Sequence, residues 1–121
     1  MSQQIRVYRE LNLRDEAKIT GAGSATSTAG AATINKTSGQ ITTEALATAA
    51  GATYTMTLTN SIIAPTSIVL VSVGKGTATL GEPVVQFVTP AAGSAVILIK
   101  NVAATDALNG TIKINFAVFN A

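Results

Sequence analysis

The chain has 121 residues, material for one domain with a short appendage, and a formal net charge of +2. It contains no cysteine and no histidine, which excludes disulfides, thiolate metal sites and the Ser-His-Asp and Cys-His catalytic arrangements. Hydrophobic residues make up 47% of the chain but aromatic ones only 4%, so any core is aliphatic, and heavy use of Thr, Val and Ile favours β structure.

The first segment, residues 1–19, carries "IRVYRELNLRDEAK" and holds half of the charged residues. Read as a helix, its apolar residues form an untidy stripe. Read as extended chain, Ile5, Val7, Leu11 and Leu13 share one face, interrupted only by Arg9, and Arg6, Glu10, Asn12 and Arg14 line the other with Tyr8. The extended reading predicts an N-terminal arm that adds as a strand to the sheet edge of a neighbouring subunit. Its candidate partner-binding residues are Ile5, Arg6, Val7, Tyr8, Arg9, Leu11, Leu13 and Arg14, with the mixed charges setting register. The plainer alternatives are the first strand of the domain or a tail. No apolar run of signal-peptide type is found here, so a cytoplasmic place of synthesis is expected.

Residues 20–32, "TGAGSATSTAGAA", contain only Gly, Ala, Ser and Thr and read as a linker, either a flexible tether or a closely packed extended strip. Residues 33–121 are expected to carry the fold. "NKTSGQ" is a turn, and "TEALATAA" (43–50) is the one helix-leaning piece. "TYTMTLTN" alternates strictly, with Tyr54, Met56 and Leu58 on one face and four threonines on the other. "SIVLVSV" and "SAVILIK" are near-continuous apolar runs, as expected of strands covered on both sides. "PVVQFVT" and "TIKINFAVF" alternate again, while "GKG", "PAAG" and "LNG" supply turns, Asn109-Gly110 being the sharpest hairpin cue. The pattern predicts an all-β fold, an antiparallel β-sandwich or jelly-roll-like barrel with an extended N-terminal arm. Without a crossover helix, parallel pairing is not expected.

No catalytic constellation emerges. The acids beyond residue 18 are Glu44, Glu82 and Asp106, each read as a solvated loop charge rather than half of a hydrolytic pair. "GKGTATLG" lacks phosphate-loop spacing. Lysines are scattered singly and aromatic platforms are missing, which argues against nucleic acid, and the apolar runs are too short to span a bilayer. Tyr54, Phe87, Phe116 and Phe119 are mostly assigned to the core, so a glycan site finds few aromatics. An enzyme, a cofactor and a metal are therefore not expected.

The order "TLTNS", "SVGKG", "TPAAGS" and "LNGTIKI" within residues 39–121 resembles small β-rich virion proteins of tailed bacteriophages, the head decoration or cement proteins. The resemblance implies a structural role on the outer capsid surface of the virion. The partners would be the major capsid protein and neighbouring copies of the chain, often as a homotrimer. Two rivals remain at this point: a head or tail fibre module binding host-surface glycans, and a fimbria-like filament subunit that exchanges its first strand.

Overall fold

A computed structural model describes residues 22–120. Among them no helix forms, and eight strands build two stacked sheets of four. The strands are β1 (Gly23–Thr26), β2 (Ala31–Thr33), β3 (Ser38–Thr42), β4 (Thr53–Thr59), β5 (Ile68–Lys75), β6 (Pro83–Ala91), β7 (Ser94–Asn101) and β8 (Ile112–Phe119). One sheet has the order β1-β3-β8-β5 and the other β2-β4-β7-β6.

The sheets are mixed, which corrects the antiparallel expectation: β1 runs parallel to β3, and β2 parallel to β4. No helix is needed because the chain steps to the opposite sheet and back between each parallel pair. The crossover from β1 to β3 is β2 itself. The boundary expected at residue 33 shifts likewise, since β1 and β2 use the small-residue segment as an extended strip packed into the sheets. Small side chains suit it: a Cβ on Gly23 would collide with Ile34 at 2.5 Å.

Period two explains the core. Met56 and Leu58 of β4, Ala95, Ile97 and Ile99 of β7, Ile41 of β3, and Ile112 and Ile114 of β8 are all fully buried between the sheets. Burying each large aliphatic side chain contributes roughly 1.5–3 kcal/mol. The apolar runs in β5 and β7 depart from expectation, because only one side of each strand is covered. Val69, Val71 and Val73 pack on the core while Ile68 and Leu70 face outward.

Segment 43–50 is extended rather than helical. Thr43 N–H donates to the carbonyl of Ile112 (3.0 Å) and Leu46 N–H to that of Gly110 (2.9 Å), so pairing beside the entry to β8 overrides its helix propensity. "PAAG" makes the expected hairpin, closing β6 onto β7 with Gly93 at positive φ. "LNG" does not, because β7 and β8 lie in different sheets. Asn109 instead accepts at Oδ1 from the N–H groups of Thr79 (2.7 Å) and Leu80 (2.9 Å). Gly110 allows this close approach: a Cβ there would meet Ala78 N at 2.8 Å.

The turn into β2 joins Thr28 to Ala31 with both central residues at positive φ, Ala29 at 50° and Gly30 at 77°. That is the signature of a type I′ turn, which favours Asn-Gly. Ala29→Asn is expected to raise stability by about 0.5 kcal/mol, read as a higher denaturant midpoint at unchanged slope.

Candidate functional site

Titratable side chains gather at one place in the described residues, under this turn. Glu44 takes hydrogen bonds at Oε1 from Ser27 Oγ and Tyr54 OH (3.1 Å) and at Oε2 from Gly30 N–H (3.0 Å). Its own N–H donates to Ser27 Oγ (3.2 Å). Glu44 is thus not the solvated loop charge expected but the pin that ties the β1–β2 turn to β4. Burial works to raise its pKa, yet the hydrogen bonds from Ser27, the backbone and Tyr54 outweigh it and hold the carboxyl below its usual value. Tyr54 is pushed up to about 12, by burial first and by the Glu44 charge beside it. Ser27 is only 2% exposed, and with its proton aimed at the Glu44 carboxylate the trio ties the turn to β4 as a clamp.

Because the folded state lowers the Glu44 pKa, its contribution is present above the unfolded value of about 4.5 and is lost as pH falls through the lower folded value. Glu44→Gln is expected to flatten the acid side of a stability–pH profile while lowering stability at neutral pH. The check is urea midpoints measured from pH 3 to pH 7 (roughly the carboxylate window). Equal acid slopes in both proteins would refute the clamp.

The outward sheet faces offer a different kind of site. On the first sheet Ser24, Gln40, Asn115 and Ser72 stand in one row across β1, β3, β8 and β5. Gln40 Nε2 donates to Asn115 Oδ1 (2.8 Å), and Asn115 Nδ2 donates to Ser72 Oγ (3.2 Å). Beyond this polar row lie Leu70 beside Ala117 and Ile68 beside Phe119, with Ile68, Leu70 and Phe119 respectively 61%, 57% and 53% exposed. Of these, Gln40, Asn115, Ser72, Leu70 and Ala117 line a groove of about 460 Å³ together with Ala22, Gly39 and Phe116. The face carries Lys113 at its margin and no acid.

On the second sheet the outward row is Thr55, Leu98 and Phe87, flanked by Thr57, Val96 and Thr89. Phe87 was expected to share a face with Val85. A register shift between them inserts Gln86 as an extra residue, so Val85 pairs with inward Ile99 and Phe87 with outward Leu98. Phe87 is consequently 54% exposed rather than core. With Phe119 also outward, the expectation that the aromatics are mostly internal is corrected. Period-two reading has no means of locating a bulge, and neither Ile68 nor Leu70 announces its exposure from within an unbroken apolar run.

The predicted arm residues Ile5, Arg6, Val7, Tyr8, Arg9, Leu11, Leu13 and Arg14 lie outside the described residues. No protein-family model matches the chain, and no curated protein or solved structure matches it either.

Proposed function

We propose that this protein is a structural virion component that binds the outer surface of a tailed-phage head, stabilises it in many copies, and reaches neighbouring subunits with its N-terminal arm. The observation that carries the reading is the pair of apolar outward faces on opposite sides of one sandwich. Ile68, Leu70 and Phe119 stand on one, and Val84 and Phe87 on the other. Large apolar side chains exposed on both faces fit a subunit flanked by protein neighbours better than a freely diffusing monomer. Strands apolar on both sides then have a reason, since the second side is buried in the assembly. Modest contacts repeated over a shell add through multivalency, without any single tight interface. The likeness to decoration proteins supports the same reading and implies a trimer where capsid subunits meet.

The test is co-sedimentation of the purified chain with phage heads that lack it. Saturable binding at a fixed ratio supports the proposal, and no binding refutes it. A second reading, a fibre domain that binds surface glycans, is favoured by exposed Phe87 beside Thr55 and Thr89, an aromatic among hydroxyls. Retention on cell-surface polysaccharide, lost in Phe87→Ala, would move that reading ahead.

A further inference from the structure

We propose that the groove across the outer face of the first sheet receives the N-terminal arm, residues 5–13, of a second copy of this chain. The inference rests on the shell-subunit reading above and deepens it by naming what one face binds.

The groove crosses all four strands, from Ala22 and Gly23 through Gln40 and Asn115 to Leu70 and Ser72. Three steps between neighbouring strands make it about 14 Å long. It is lined by apolar and neutral polar side chains, with hydrogen-bonding groups along one row. An occupant of matching chemistry is short, extended and apolar on one side. The arm sequence has that pattern: Ile5 and Val7, then Leu11 and Leu13, fall on one face of an extended chain, each pair about 7 Å apart. One pair spans about half the length of the groove, and the full stripe is long enough to cross it.

The place where the described chain begins is the second argument. Ala22 itself lines the groove, so the preceding residues are attached beside it. Between Ala22 and the apolar pairs lie the uncharged residues 19–21 and then the charged "RDEAK" (14–18), which has no reason to enter an uncharged groove. An extended chain from Ala22 back to Leu13 covers about 30 Å, twice the groove's length. At that extension the apolar pairs would lie beyond their own groove and within reach of a neighbour's. Because the groove runs across the strands, the arm docks on the sheet face through side chains. This differs from pairing along an edge, the mode that the sequence pattern alone predicts.

The chain has no cysteine, which permits a direct test by engineered cross-linking of the full-length protein. Arg9→Cys replaces the one interruption in the apolar stripe and leaves all four apolar residues in place. Ser72→Cys puts a thiol on the groove. Mixing the two singly substituted chains under mild oxidation is expected to yield the mixed disulfide dimer. Its yield should exceed by about tenfold that obtained with Thr57→Cys, on the opposite sheet, in place of Ser72→Cys. Adding Leu70→Lys to the groove partner is expected to cut the yield to about the level of the Thr57→Cys control, since it removes one leucine's worth of apolar contact from an already exposed position. A yield no greater than the Thr57→Cys control overturns the proposal and leaves the groove to another occupant, a capsid protein or a small apolar ligand. A closed monomer as the main product of an Arg9→Cys/Ser72→Cys double variant also overturns it, by showing that the arm fills its own groove. No phage heads are involved, so a cross-link that forms while head binding fails would sink the decoration reading alone.

Discussion

Replacing Asn101 with alanine is expected to cost about 4 kcal/mol, a large part of the stability of a domain this size. Asn101 ends β7 with no exposure, and its amide uses its full bonding capacity. Oδ1 accepts from the N–H groups of Glu82 (2.9 Å) and Ala103 (3.1 Å), and Nδ2 donates to the carbonyls of Thr48 (3.0 Å) and Asp106 (2.9 Å). One side chain thereby fastens the β3–β4, β5–β6 and β7–β8 connections at one end of the sandwich. Alanine takes this partner from the N–H groups of Glu82 and Ala103 and from the Asp106 carbonyl, while the Thr48 carbonyl keeps the Leu108 N–H, and each orphan costs roughly 1–3 kcal/mol where water does not reach it. Asn101→Asp separates bonding from volume. It keeps the shape and both acceptor contacts but turns a carboxylate toward two carbonyl oxygens. It is expected to be as damaging as alanine at pH 7, with partial recovery on acidification as the carboxyl gains a proton to donate. A denaturant midpoint for Asn101→Asp within about 1 kcal/mol of wild type would refute the staple.

The second large effect is a contrast between two adjacent residues of β7. Ile97 is fully buried, paired with Met56 on one side and Val88 on the other, both on the core side. Ile97→Ala is expected to lose about 3–4 kcal/mol, from the missing methyl groups plus the cavity left between two sheets that cannot close over it. Leu98, one residue on, points outward between Thr55 and Phe87. Leu98→Ala is expected to lose about 1 kcal/mol or less in the isolated protein. Calorimetric midpoints of the two variants read this difference directly. The assembled state offers a sharper form of the same test. If the outward faces are interfaces, Leu98→Ala weakens assembly while hardly changing folding, and Ile97→Ala does the reverse. Equal losses of folding stability at both positions would mean that β7 is covered on both sides and that the second sheet has no free face.

Much of the fold was legible where one residue type reports one local condition. "TYTMTLTN" became β4 with the faces its alternation predicts, because Thr tolerates water and Met56 and Leu58 do not. The hairpin at "PAAG" was legible because its turn needs only Gly93 at positive φ between strands that are sequence neighbours. What escaped depended on partners distant in sequence. Asn109-Gly110 has the composition of a hairpin turn, but the Asn109 side chain serves the loop at Thr79 and Leu80. The parallel pairing of β1 with β3 was missed since a β-sandwich lets the opposite sheet serve as the crossover. Glu44 gave no sign of its role, for Ser27 and Tyr54 meet it only after three separate segments come together.

The outward faces were half legible. Strands apolar on both sides were recognised in "SIVLVSV" and "SAVILIK", and cover on the second side was expected. The covering element is not found among the described residues, so Ile68 and Leu70 stand exposed. Phe87 was assigned to the wrong face because one extra residue, Gln86, reverses the alternation midway along β6. A bulge of this kind re-aims a large side chain without any change in composition.

The central claim is that the two outward faces are contact surfaces of a head-decorating subunit. The most direct measurement titrates phage heads lacking this protein with the wild-type chain, with Leu70→Lys and with Phe87→Lys, after confirming that all three unfold at similar denaturant concentrations. The account predicts saturable wild-type binding and at least about tenfold weaker binding for one or both variants, since each places a charge where apolar contact is required. Wild-type binding matched by both variants would show that neither face touches the head, and absence of binding by the wild type would contradict the account as a whole.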